Sequence, residues 1–283
     1  DAAIAMTELA KAGLSVANSM AAARGTLQLA TAAQIDNAAA AQLVSGALNS
    51  FELDGTQAVK VADLFAGAAK SAQGSIQDFG PALAQVSAVA HGFGISIGDT
   101  VTLLTQLAKA GLEGGRAGTA LRVALLRLST PEAEKTLKGL NVQLRDLKTQ
   151  NVRPQVFADL DNALKGVSKS QKQATELTLL GTDAIRTQLI LGPQGAAAFN
   201  KISTAVNEAG LAQERAAART QGLDGATANL SNQVSALGLT VGEVSQGPLT
   251  SLVTILAGTV GAAATATDAI VSLKKKFTED LQG

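Results

Sequence analysis

The sequence predicts an all-α protein made of alanine-rich helices punctuated by glycine, arranged as a helical bundle or as an extended helical assembly. Three observations carry this prediction. Apolar residues make up 46% of the 283 positions, charged residues make up 16%, and the apolar share is mostly Ala. Alanine is the strongest helix former because it loses no side-chain rotamer entropy. Start and stop signals recur at helical lengths, and strand-like alternation is nearly absent.

From Asp1 to about Ala72 the pattern is long Ala/Leu/Val stretches, with breaks expected at Gly25, Gly46 and Asp54-Gly55. Further on, Ser96-Ile-Gly-Asp99 reads as a capping box. Val101, Leu103, Leu104, Leu107 and Ala108 then follow at helical spacing, and Gly111 stands where a C-terminal glycine belongs. Ser129-Thr130-Pro131-Glu132 starts another helix, with Pro131 at the first helical position. Pro154 opens a helix expected to end at Gly166. Ser170-Gln-Lys-Gln173 opens one expected to end at Gly181, and Gly192-Pro193 and Gly210 punctuate the next two. The one strand candidate is Asn141-Val-Gln-Leu144, beside a polar turn that runs to Pro154. The hexapeptide Leu9-Ala-Lys-Ala-Gly-Leu14 recurs as Leu107-Ala-Lys-Ala-Gly-Leu112, each copy predicting a helix that stops at its glycine.

The organisation expected from this pattern is a helical region over 1–210, a polar helical connector over 211–247 and a hydrophobic helix with a basic stop over 248–283. The last contains an uncharged run, Leu249 to Thr267, followed by Lys274-Lys275-Lys276. That run approaches the roughly 20 residues that span a bilayer. It reads either as a helix buried in an assembly or as a membrane-inserting segment. The chain starts at Asp1 without Met or a signal-peptide pattern, which predicts an internal piece of a longer protein.

Composition narrows the function classes. Lys plus Arg and Asp plus Glu are 23 each, so no basic excess points to nucleic acid. Cysteine is absent, which removes disulfides, thiolate metal sites and Cys nucleophiles together. His91 is the only histidine and sits at the end of an apolar helical face, where a role at a helix C-terminus outweighs catalysis or metal binding. The cluster Gly111, Gly114, Gly115, Gly118 follows a helix and lacks a Gly-Lys-Ser/Thr end, so it reads as a helix–helix turn and not a phosphate loop. Arg116, Arg122 and Arg127 follow it; Arg122 and Arg127 are five apart and do not share a face. Asp54, Asp63, Asp78 and Asp99 have no spacing that pairs two carboxylates on one helix. With seven Phe and no Tyr or Trp, base stacking has few platforms. No catalytic, cofactor-binding or metal residue is assigned, and an enzyme is not expected. Alanine buries little area, so contacts with other copies or with an enclosing partner are expected to supplement a thin private core.

Several segments together resemble the core region of phage tail tape-measure proteins of the TP901 type. They are Glu8-Leu-Ala-Lys-Ala-Gly-Leu-Ser15, Phe51-Glu-Leu-Asp-Gly55, Val61-Ala-Asp-Leu64, Val86-Ser-Ala-Val-Ala90 with Gly94-Ile-Ser96, and Leu107 through Gly114. Ala117-Gly-Thr-Ala-Leu-Arg122, continuing to Leu128-Ser-Thr-Pro131, is the most specific. A Leu-x-x-Leu-Gly element at Leu177 to Gly181 looks like the family's later motif, with Leu180 where a Phe is usual. The resemblance implies a structural virion protein that fills the tail lumen as several parallel copies, three or six, and sets tail length. It also implies release ahead of the DNA at infection. The implied partners are the tail tube protein, tail assembly chaperones and tail tip proteins, with the host inner membrane and the phage DNA end as further candidates. The implied locations are the tail lumen, the host cytoplasm during assembly and the host envelope during infection. The alternative is a membrane-active helical module that inserts into the host envelope to help form a DNA passage. The family's peptidoglycan-cleaving domains have no motif in these residues.

Overall fold

The computed structural model describes residues 2–221, and the uncharged run Leu249 to Thr267 with its basic stop lies outside the described residues. Among the described residues there are eleven α-helices: α1 (Ala2–Lys11), α2 (Val16–Ala33), α3 (Asn37–Ser50), α4 (Ala58–Ala72), α5 (Phe79–Gly92), α6 (Ile97–Lys109), α7 (Gly114–Leu128), α8 (Pro131–Gly139), α9 (Val156–Ala163), α10 (Lys169–Val206) and α11 (Leu211–Gln221). The all-α prediction holds, and the helices are folded on one another as a bundle.

Two helices form its centre. On α4, Val61 through Ala69 are all buried; on α6, Ile97, Gly98 and Thr100 through Leu107 are buried. A helix buried on every side needs partners all round. Here α4 packs against α2, α3, α6, α10 and α11, and α6 packs against α4, α5, α7 and α10. The threonines on α6 cost little in this interior because their hydroxyls donate back along the helix. Thr100 bonds the Ser96 carbonyl at 2.9 Å, Thr102 that of Gly98 at 2.7 Å and Thr105 that of Val101 at 2.7 Å. The largest fully buried side chains include Phe65, Phe157, Leu103, Leu104 and Leu107 of α6 and Leu121, Leu125 and Leu128 of α7. The core is therefore less thin than the alanine content suggests.

Five of the connections share one three-residue design. The chain leaves a helix through a left-handed residue, packs an apolar residue against the core and enters the next helix or turn. The five cases are Gly13-Leu14-Ser15, Gln34-Ile35-Asp36, Glu52-Leu53-Asp54, Gly94-Ile95-Ser96 and Gly111-Leu112-Glu113, with φ of 91°, 56°, 52°, 73° and 77° at the first position. In each, the apolar residue's N–H reaches back five residues to a helix carbonyl, as in Leu112 to Leu107 at 3.0 Å and Leu14 to Leu9 at 3.2 Å. This is the Schellman C-cap, with its apolar contact. Ser15, Asp36, Asp54 and Ser96 then cap the following helix or turn through their side chains. The recurring hexapeptide thus builds the same corner twice.

Several expected boundaries move. Gly25 and Gly46 lie inside α2 and α3 and interrupt neither. A Cβ at Gly25 would come within 2.5 Å of the Ala58 backbone, so that glycine serves close approach to α4. The α10 cap is Ser168 with Gln171, two residues before the expected Ser170-to-Gln173 pattern, and both halves of the capping box are formed. Helix α9 spans Val156–Ala163, ending before Gly166. Gly181, where a helix was expected to end, is non-helical and breaks α10 into two helical stretches. Gly192 and Pro193 lie within α10, whose second break falls at Gly195. The strand candidate at Asn141–Leu144 forms no strand; the neighbouring chain makes one antiparallel bridge, Arg145 to Val152. That loop is tied to α5 by Val152 N–H donating to the Phe93 carbonyl at 2.8 Å. Thr130 and Pro131 start α8 as expected.

Candidate functional site

The residues singled out by sequence occupy separate structural positions. His91 lies half-buried in the last turn of α5, its ring edge-on to Phe51 with centroids 5.9 Å apart. The glycine cluster is the α6–α7 corner followed by the start of α7, a helix–helix turn. Arg116 and Arg127 are exposed, and Arg122 is half-buried. Asp99 accepts from the Ser96 hydroxyl at 2.8 Å. Asp54 accepts from the Thr56 N–H at 2.8 Å and from the Thr56 hydroxyl, which hold its carboxyl below the ordinary value. Asp78 closes the short turn that precedes α5. Among the described residues no group of three or more His, Cys, Asp or Glu side chains could hold a metal ion. No described helix is long and apolar enough to cross a membrane.

What the fold brings together is mechanical. Asp63, buried on α4, accepts the backbone N–H of Gly210 at 2.8 Å and of Ala212 at 2.9 Å, and so caps α11 from across the core. Arg215 on α11 returns a bond to the Ala66 carbonyl at 3.3 Å. Sequence offers no signal for this pairing, because the partners lie about 150 positions apart and the cap is not in the chain before α11.

A second polar cluster joins α9 to α10. Lys172 donates to Asp161 at 2.5 Å and lies 4.0 Å from Glu176, whose side chain is 3% exposed. Lys172 and Glu176 are four apart on α10, whereas Asp161 comes from α9. Gln188, also on α10 and fully buried, donates to the Phe157 carbonyl at 3.0 Å. Burial raises the Glu176 carboxyl above its ordinary value near 4.5, with Lys172 pulling the other way, and the Asp161 bond raises Lys172. A carboxyl with a raised folded-state value contributes favourably below its unfolded value and loses that contribution as pH rises through the folded one. At neutral pH Glu176 is thus a net cost. Glu176→Gln is expected to stabilise the protein by about 0.5–2 kcal/mol at pH 7 and to flatten the fall in stability between pH 4 and 7. Urea denaturation of both proteins across that range checks this; a destabilised variant at pH 7 would refute it.

Among the described residues an open groove of about 800 Å³ lies between α3 and α5, lined by Ile35, Leu43, Ala47, Pro81 and Leu83 among others, with smaller ones of about 490 and 450 Å³ elsewhere. Exposed apolar residues are scattered over several elements, with Val16 and Met20 on the first turns of α2, Leu147 at a loop tip and Leu189 on α10.

The comparisons with known proteins give the class. The family model for phage-related minor tail proteins matches residues 1–181. The chain belongs to the phage-related minor tail protein family. The resemblance to tape-measure proteins also holds. The tape measure protein of Pneumococcus phage Dp-1 is 34% identical over 221 residues, covering 76% of this chain and 19% of that protein. The probable tape measure protein of Escherichia phage P2 is 30% identical over 236 residues, covering 82% of this chain and 28% of that protein. The chain therefore spans from about a fifth to a little over a quarter of the length of these relatives. No solved structure matches.

Proposed function

We propose that the full-length protein sets tail length, fills the tail lumen as parallel copies inside the tube protein, and leaves ahead of the DNA at infection. Residues 2–221 serve it as a folded domain and not as a length-counting rod. The tape-measure relatives support the first part. The single observation that carries the second is the closed packing of the described helices around α4 and α6. As one straight helix, residues 2–221 would run about 330 Å at 1.5 Å per residue. A compact domain of that size has a radius of gyration of about 17 Å. A folded domain adds a fixed length, so it suits contacts with tail tip proteins or assembly chaperones better than measurement. Helix α11, the start of the connector expected over 211–247, docks on α2 and α4.

The test is tail length in electron micrographs of phage carrying in-frame deletions in the full-length protein. Deletions in helical sequence outside this region are expected to shorten the tail by about 1.5 Å per residue removed. Removing residues 131–163, with α8 and α9, is expected to leave the length of the tails that form unchanged. A shortening near 50 Å, the value for an extended helix of that many residues, would make this region part of the ruler instead.

A further inference from the structure

The geometry of α10 points to a hinge with a latch. Gly181 interrupts the helix with φ 68° and ψ −178°, a conformation that essentially only glycine adopts. Packing does not require glycine there. A Cβ would meet nothing closer than the Arg127 guanidinium at 3.5 Å, an ordinary contact. Gly181 is therefore glycine for the sake of the backbone bend alone.

The bend is sharp, and α9 fills its inside. Asp161 on α9 touches α10 on both sides of Gly181: its carboxylate holds Lys172 at 2.5 Å, and its Cβ lies 3.1 Å from where a Cβ at Gly192 would stand. In a straight helix residues 172 and 192 are about 30 Å apart, a gap that the side chains of one aspartate and one lysine cannot bridge. The smallness of Gly192 admits Asp161 to the body of α10, and Lys172 ties the arm, residues 169–180, to the same side chain. Glu176, buried on the arm, adds a second carboxylate 4.0 Å from the same ammonium. Apart from Glu176 the arm's helix is exposed or half-buried from Lys169 to Thr178, and Leu179 and Leu180 are buried next to the bend.

We infer that Gly181 is a hinge and the Lys172–Asp161 pair its latch, so that releasing the latch swings the arm off α9 and lets α10 straighten into one helix from 169 to 194. Straightening stops there. Pro193 lacks the N–H for the next helical bond and its ring opposes the Leu189 carbonyl, so the break at Gly195 persists. This device converts a compact edge of the domain into a rod of about 39 Å. It stands on the geometry of α9 and α10 whether or not the protein measures tails.

The chain has no cysteine, so nitroxide labels placed through Lys169→Cys and Leu189→Cys, both exposed positions, report one distance in the full chain. The parent protein is expected to give a single distance well short of the straight-helix value. Gly181→Ala strains the bend and favours the helix, and helix propensity alone should raise the straight population roughly five-fold, adding a peak near 30 Å. Lys172→Met, which opens the latch without touching the hinge, should add the same peak, with the far-ultraviolet helix signal retained in both. If the folded variants keep only the short distance, there is no hinge. If Lys172→Met gives a broad distribution with loss of helix, the pair is merely structural and the inference fails. Should Gly181→Ala not fold, Lys172→Met decides alone.

Discussion

Gly118→Ala is expected to destabilise the fold by about 3 kcal/mol or more, at the upper end of the effects of overpacking. Helices α5 and α7 pack against each other, and Gly118 lies where they cross. A Cβ there would sit 2.0 Å from the Ala82 carbonyl oxygen and 2.8 Å from its carbonyl carbon. Those are backbone atoms of a helix, so no rotamer change relieves the clash; the two helices must separate. Separation exposes Leu121, Leu125 and Leu128 on α7 and Leu83 and Val86 on α5, all buried against the common core. Urea denaturation measures the loss. The same change at Gly139 in α8, where a Cβ would meet nothing within 4 Å, is the control and should be close to neutral. Equal effects at the two positions would remove the crossing as the reason for Gly118. The same residue lies in the Ala117-to-Arg122 run that carries the family resemblance, so that motif has a packing cause.

Asp63→Ala is expected to cost about 2–4 kcal/mol, because it removes two charge-assisted bonds and strands two N–H groups near the core. Gly210 and Ala212 lose their acceptor, and α11 loses its cap. The loss should be local before it is global. Amide exchange of α11 is expected to quicken, and protease to cut near residue 210 while α4 and α6 stay protected. Asp63→Asn keeps one acceptor oxygen and should lose less. If α11 remains as protected as the rest of the variant, the cap is not what docks it.

The sequence by itself determined the helical class, most of the element order and the family. It did so because helix signals are local: Ser96 with Asp99, Thr130 with Pro131 and Gly111 with Leu112 act within a few residues of one another, and the structure keeps each of them. The left-handed corner at Gln34-Ile35-Asp36 repeats the Gly-Leu-Ser pattern with a polar first residue, and that substitution hid it, whereas the break at Asp54-Gly55 was expected and Asp54 caps the turn that follows α3. Only the tertiary structure decided which glycines break helices and which let helices touch. Gly25, Gly46 and Gly118 are interior to helices, whereas Gly181 bends one, and nothing in the neighbouring letters distinguishes these cases. It likewise decided the partners of Asp63 and Asp161. A cap or an ion pair formed across a core depends on where two distant helices cross, and crossing is set by the summed packing of many side chains, which no short stretch of sequence encodes.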